Sequence, residues 1–287
     1  FITQTHVQEE IPILDIIFVI DNSGSMNVFQ QELSNQMTAF MNVFLATGAD
    51  FHLGFITTDR GYLQCSGVIC WIDNSHLTAV DWAQGIITQI SIGGSAYEKG
   101  IEMAHRALQN TDYDTGAAPG TSFWRNDATL VIIYVSDEPD FSLGTWTAYT
   151  SFFDTLKPNI DMMRHFGVIG DYPSGCQWSS PHNSYWRNVG FGDGYYDMTQ
   201  RYNGDWYSIC ATDWGNQMQD LANTVTVRST FNLDEDDPIE DSIIVNVNGQ
   251  ASFDWTYDSN SNAVVFNEGY APEAGQTIII EYGIWGC

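Results

Sequence analysis

The chain has 287 residues, 44% of them apolar, and its 36 acidic against 9 basic residues give a formal charge of −27. That length accommodates one large domain with a well-buried core plus a small module. The charge argues against nucleic acid and anionic lipid as partners, since it repels their phosphates, and it suits cations, basic partners or simply a solvated surface in salty water.

Opening on Phe1 rather than Met is expected of a chain whose leader has been removed or whose end has been trimmed. Residues 11–20 form one apolar run, interrupted by Asp15 and far short of a bilayer span, so no membrane insertion is expected. Within it Ile13–Ile20 reads as a strand buried on both faces. The strand ends in Asp21-Asn22-Ser23-Gly24-Ser25, which presents one carboxylate and two hydroxyls at alternate positions of a turn. Such hard oxygens suit Mg2+, Mn2+ or Ca2+ rather than zinc or copper. Phe29, Leu33, Met37, Phe40 and Phe44 then recur at three- and four-residue spacing, the apolar stripe of a helix.

A second buried strand is expected over residues 51–57, closed by Thr57-Thr58-Asp59. Gly93-Gly94-Ser95 places a hydroxyl directly before a helix marked by Tyr97, Ile101, Ala104 and Leu108. A third strand, Thr129–Val135, runs into Ser136-Asp137-Glu138-Pro139-Asp140. Helices over 145–156 and 213–223 and a strand at Met163–Ile169 continue the alternation. Strand–helix alternation implies right-handed crossovers and a doubly wound, mostly parallel α/β sheet. Open sheets of this kind bind ligands at the carboxyl ends of their strands. Asp21, Ser23, Ser25, Ser95 and Asp137 are therefore expected to converge from three loops on one cation.

Residues 172–207 break the rhythm with a run dense in Gly, Asn, Asp, Trp and Tyr, read as a long irregular insertion. Five cysteines are present, none in a Cys-x-x-Cys pair. Cys65 and Cys70 are placed to close a short loop, and Cys176 and Cys210 to staple the insertion, with Cys287 left over. Disulfides fit an oxidising compartment; buried reduced thiols are the other reading. A zinc site of Cys65, Cys70 and His76 lacks an evident fourth ligand.

From residue 226 onward short β-prone runs take over, at 226–233, 242–247, 252–257, Ala263–Phe266 and 277–282. Asn248-Gly249, Ser259-Asn260 and Ala274-Gly275 punctuate them. The expected organisation is a binding domain over 1–224 and a small β-sandwich-like module over 225–287. The acidic run Asp234-Glu235-Asp236-Asp237 reads as a solvated turn, because the spaced ligands and central Gly of a calcium loop are absent.

The Asp21-x-Ser23-x-Ser25 turn, the hydroxyl after Gly93-Gly94 and Asp137 past the third strand, in that order, resemble the von Willebrand factor A domain and its metal-ion-dependent adhesion site. The resemblance covers roughly residues 12–224 and implies a Rossmann-like sheet. It also implies one divalent cation, Mg2+ first and Ca2+ or Mn2+ as alternatives, on Asp21, Ser23, Ser25, Ser95 and Asp137, with an acidic residue of a protein partner completing the coordination. Asp59, Glu138 and Asp140 would line the rim. Two departures stand out: Ser95 replaces the family's usual Thr, and Glu138 its usual Gly, adding charge that brings Ca2+ or a second ion into play.

The resemblance implies binding rather than catalysis. No nucleophile–His–carboxylate order or Gly-x-Ser-x-Gly elbow is present, and His6, His52, His76, His105, His165 and His182 fall in no ligand spacing. The terminal module, with Ser242–Gly249, Phe266, Pro272, Gly275 and Ile278–Tyr282, resembles small β repeats of surface-anchored and viral fibre proteins, which implies a stalk, docking or assembly unit. The leading expectation is a secreted or surface-exposed adhesion protein. The alternative is a structural subunit of a virion or extracellular filament, whose two modules hold neighbouring subunits together.

Overall fold

The computed structural model describes residues 1–8, 12–110, 115–179, 186–227, 229–259, 262–267, 270–273 and 275–284. His182, Asn260, Ala274 and Cys287 lie outside the described residues. In chain order the strands are β1 (Ile2–Val7), β2 (Ile13–Ile20), β3 (Asp50–Thr57), β4 (Trp71–Asp73), β5 (Thr129–Val135), β6 (Met163–Ile169), β7 (Cys176–Ser179), β8 (Trp186–Val189), β9 (Trp206–Ser208), β10 (Thr230–Asn232), β11 (Pro238–Val247), β12 (Gln250–Ser252), β13 (Trp255–Asp258), β14 (Ala263–Phe266) and β15 (Thr277–Ile284). The helices are α1 (Asn27–Thr47), α2 (Ala79–Gln89), α3 (Gly100–Gln109), α4 (Thr147–Phe153), α5 (Tyr195–Arg201) and α6 (Trp214–Thr226). Two compact units divide the chain: Ile13–Ala222, and Phe1–Pro12 together with Asn223–Cys287.

In the larger unit six strands pair in the order β4-β3-β2-β5-β6-β9, all parallel except β4, which runs antiparallel to β3. β5 and β6 are buried along their whole length and β2 from Leu14 onward. That burial is why their sequences run apolar without alternation, each large side chain contributing on the order of 1.5–3 kcal/mol. Neighbouring residues of β2 meet different helices. Phe18 packs edge-on against Phe40 of α1 at 5.2 Å, while Ile17 and Val19 share a cluster with Ile101 of α3, Phe153 of α4 and Met198 of α5. From β2 the chain passes to β3 on one side and later to β5 on the other, so the carboxyl ends of β2 and β5 flank a topological switch point.

The helical stripe predicted after β2 is the buried face of α1, which Gly48 ends in the left-handed conformation at φ 70°. The helix expected from Tyr97 starts only at Gly100. The Ser95 hydroxyl accepts the Tyr97 N–H at 3.0 Å, which holds the intervening residues in a turn and leaves Tyr97 67% exposed. The periodicity predicts no element between residues 57 and 93, where the structure places β4 and α2. Residues 172–207 are more regular than expected. They hold the antiparallel hairpin β7–β8, with Cys176 opposite Val189 and Trp178 opposite Arg187, followed by α5 and β9.

The smaller unit consists of two antiparallel sheets, ordered β1-β15-β11-β12 and β10-β14-β13. Its core is Phe231, Leu233, Ile243, Val245, Val264, Phe266, Ile278, Ile280 and Tyr282, drawn from both sheets. Asn248 and Gly249, at φ 49° and 76°, make the tight hairpin turn between β11 and β12. Residues 1–12, expected in the first domain, belong to this unit instead: β1 pairs antiparallel with β15, from Ile2 opposite Tyr282 to Val7 opposite Thr277. The strand expected over 226–233 is reduced to β10, because α6 continues to Thr226. Residues 234–237 form an exposed turn in which Glu235 N donates to the Tyr282 hydroxyl at 3.1 Å. Among the described residues no helix is long and apolar enough to cross a membrane.

Candidate metal centre

Asp21 is the first residue past β2, and its N–H extends the ladder by donating to Val135 O at 2.9 Å. The chain then turns: Ser23 N donates to Asp21 Oδ1 at 2.8 Å, and Gln30 Nε2 of α1 donates to Asp21 O at 2.8 Å. From the end of β5, Ser136 Oγ donates to Asp21 Oδ2, also at 2.8 Å. Both carboxylate oxygens of a fully buried aspartate are thus held in place. Ser23 Oγ and Ser25 Oγ lie 2.8 Å apart, and Ser25 Oγ donates to Asp137 Oδ1 at 3.0 Å. Asp21, Ser23, Ser25 and Asp137 are therefore linked in one hydrogen-bonded run over the ends of β2 and β5, through the Ser23 N–H from Asp21 and through hydroxyls from Ser23 onward.

Ser95 stands outside that chain of hydrogen bonds. Its N–H donates to Asp59 Oδ2 at 2.9 Å and its hydroxyl accepts from Tyr97 within its own turn. Asp59 Oδ2 also receives Asn22 Nδ2 at 3.3 Å, so this exposed carboxylate ties the turn after β2 to the Gly-rich loop. Glu138 is half-buried beside Asp137, and burial and the Asp137 charge push its carboxyl up. Asp140 is engaged elsewhere: its Oδ1 accepts from Ile101 N of α3 at 3.2 Å and from Ser142 Oγ at 2.9 Å.

Two residues that the sequence reading missed bear on the site. Glu98, on the Gly-rich loop, is fully buried and receives Thr58 Oγ1 at one oxygen, while Oε1 has no hydrogen-bond partner among the described residues. Burial and the Asp21 charge push its carboxyl up to about 8. Its only sequence signal is a carboxylate three residues past Ser95 on the same loop. The second is Arg187 of β8. Its Nη2 forms an ion pair with Asp137 Oδ2 at 3.0 Å, without the alignment of a hydrogen bond, and its Nη1 donates to Ser25 O at 2.5 Å. A lone Arg inside an aromatic-rich stretch carries no sequence signal for such a role.

The electrostatics of the cluster are those of an acidic site short of positive charge. Burial, aided by the Asp137 charge and opposed by the Ser23 and Ser136 hydrogen bonds, pushes Asp21 up to about 6. Burial also raises Asp137, against the pull of the Arg187 guanidinium. Two carboxylates and two hydroxyls are a hard-oxygen donor set, so the residues fit a divalent cation of the Mg2+, Mn2+ or Ca2+ kind. Among the described residues no group of three His, Cys, Asp or Glu side chains is placed to hold a metal ion, so a cation at this edge would draw on the Ser hydroxyls beside the two carboxylates. Cys65 and Cys70 are joined in a disulfide, which removes the zinc reading, and Cys176 is joined to Cys210.

No family model matches the sequence, and no curated protein matches it. Among solved structures the chain is similar to a von Willebrand factor type A protein from Catenulispora acidiphila, at 11% identity and a TM-score of 0.46, over 99% of this chain and 66% of that one. It is similar to proximal thread matrix protein 1 from the mussel byssus at 12% identity and a TM-score of 0.43, over 75% and 48%. It is also similar to the pilus adhesin SpaC from Lactobacillus rhamnosus GG at 14% identity and a TM-score of 0.39, over 98% and 40%. The chain thus spans two thirds or less of the length of each, and each likeness is too distant to carry a function across.

Proposed function

We propose that this is an extracellular protein-binding chain of the von Willebrand factor A type, whose larger unit takes a carboxylate of a partner through one divalent cation. The observation that carries the reading is the hydrogen-bonded run from Asp21 through Ser23 and Ser25 to Asp137, which gathers two carboxylates and two hydroxyls at the ends of the two central parallel strands. Asp21, Ser23, Ser25 and Asp137 would hold the ion, which supplies positive charge to an otherwise acidic edge; Ser95 would join only from another arrangement of its loop. Without that charge a partner's carboxylate meets an acidic edge whose one nearby guanidinium, on Arg187, is already paired with Asp137. Ser136 and Gln30 orient Asp21, and Asp59 braces the neighbouring loop. Two disulfides support an oxidising, extracellular setting. The smaller β unit would serve as a stalk, docking or assembly unit.

Screening the full chain against a peptide library, in Mg2+ and again in EDTA, tests this reading. The expected binders share an Asp or Glu and are lost in EDTA. Binders that persist unchanged in EDTA would favour the assembly-subunit reading, in which concentration-dependent polymers form without the ion.

A further inference from the structure

Arg187 reaches the cluster from a part of the chain 162 residues away from Ser25. Two rings and a disulfide hold it there. Its guanidinium lies 4.4 Å over the ring of Phe29, at the start of α1, and 5.8 Å from the ring of Trp178, its cross-strand partner in the β7–β8 hairpin. Phe29 and Trp178 themselves pack edge-on at 5.5 Å. The hairpin is tied at its base by the Cys176–Cys210 disulfide. Only 16% of the Arg187 side chain and 6% of Asp137 are exposed. A half-buried guanidinium packed over the Phe29 ring beside Trp178 and set against a buried carboxylate is a built contact, not a surface ion pair.

The contacts engage the atoms a cation would need. Asp137 Oδ2 is taken by Arg187 and Oδ1 by Ser25 Oγ, while the Ser25 carbonyl accepts from Arg187 Nη1. Ligation by Asp137 and the Ser25 hydroxyl requires the Ser25–Asp137 bond to open and brings a divalent charge up to a fixed guanidinium. Like charges at that range repel strongly where water is excluded. With Arg187 in place, one positive charge already offsets Asp137.

We propose that Arg187 is a tethered internal competitor for the divalent cation, holding Asp137 and the Ser25 turn until the ion displaces it. The inference rests on the metal-site reading above. It assigns the hairpin two tasks: neutralising the cluster when no ion is bound, and setting the cation concentration at which the site becomes able to take a carboxylate.

The test is Mn2+ titration calorimetry on the full chain as wild type, Arg187→Gln and Arg187→Lys, with Trp fluorescence followed in parallel. Arg187→Gln should bind Mn2+ about tenfold more tightly than wild type, and Arg187→Lys, which keeps the charge and loses the planar fork, should fall between. In the wild type, Trp emission should change with the same midpoint as the heat, as Arg187 leaves Trp178, and Trp178→Phe should remove that change. Near-ultraviolet circular dichroism reports whether each variant is folded, and Arg187→Lys carries the comparison if Arg187→Gln is not. Equal or weaker Mn2+ binding in the folded Arg187 variants overturns the competition while leaving the metal site standing. Absence of binding in wild type and variants alike overturns the metal site, and the competition with it.

Discussion

Ser136 Oγ donates a 2.8 Å hydrogen bond to Asp21 Oδ2, joining the first residue past β5 to the first residue past β2. Both groups are buried, so the bond locks two loops that reach the cluster from adjacent strands. Ser136→Ala leaves one oxygen of Asp21 without that donor. The variant should lose about 1–3 kcal/mol of stability, read from urea unfolding, since an unsatisfied buried acceptor bears its full desolvation cost. Its Mg2+ affinity should fall as well, because Asp21 loses its fixed orientation.

Chelation should leave the fold intact. The sheet is held by buried strands such as Phe18–Ile20 of β2 and Val131–Tyr134 of β5, and Arg187 offsets one carboxylate of the cluster without any ion. A circular dichroism melt in EDTA should keep the transitions seen in Mg2+, lowered by no more than mass action on one site allows. Global unfolding at room temperature in EDTA would make the ion a folding cofactor.

His165 sets a pH dependence. Its ring is fully buried, stacked on Tyr202 at 4.4 Å and 3.1 Å from the Tyr134 hydroxyl, and burial depresses its pKa to about 3. Above about pH 6.5 the imidazole is neutral in both states and costs nothing; between that value and about 3 only the unfolded chain takes the proton, so stability falls as pH falls. Asp140, pushed up to about 6 by burial, works in the opposite direction over part of that window. Comparison with His165→Phe isolates the histidine: the variant should show a shallower acid slope, by up to about 1.4 kcal/mol per pH unit. Identical slopes in urea midpoints at pH 7 and 4.5 would refute the assignment.

The two disulfides should differ in worth. Cys65 and Cys70 are 5 residues apart, Cys176 and Cys210 34 apart. Loop-closure entropy gives about 2 kcal/mol for the short loop and about 4 kcal/mol for the long one. Paired Cys→Ser variants compared in guanidinium unfolding should reproduce that order. Because the longer bridge also ties the hairpin carrying Arg187, its loss should tighten Mn2+ binding, which the Cys65/Cys70 variant should not do.

Much of the larger unit was legible because burial on both faces leaves an unbroken apolar signature, as in Ile13–Ile20 and Thr129–Val135. The turn after β2 was legible because its oxygens are close in sequence. What stayed hidden depends on contacts distant in sequence. β1 interleaves polar residues and becomes a strand only by pairing with β15 at the other end of the chain. Arg187 is one of nine basic residues and gains meaning only when the β7–β8 hairpin sets it against Asp137. Ser95 supplies a hydroxyl at the expected place in the sequence, yet its turn directs that hydroxyl to Tyr97, while Glu98 takes the buried place on that loop.

The most direct measurement is Mg2+ titration calorimetry on the full chain and on Asp21→Ala, each confirmed folded by circular dichroism. The account predicts one ion per wild-type chain and no binding in the variant, because Asp21 is the carboxylate that the Ser23 N–H, the Ser136 hydroxyl and Gln30, through its carbonyl, are arranged to hold. Binding of equal strength in Asp21→Ala would contradict it.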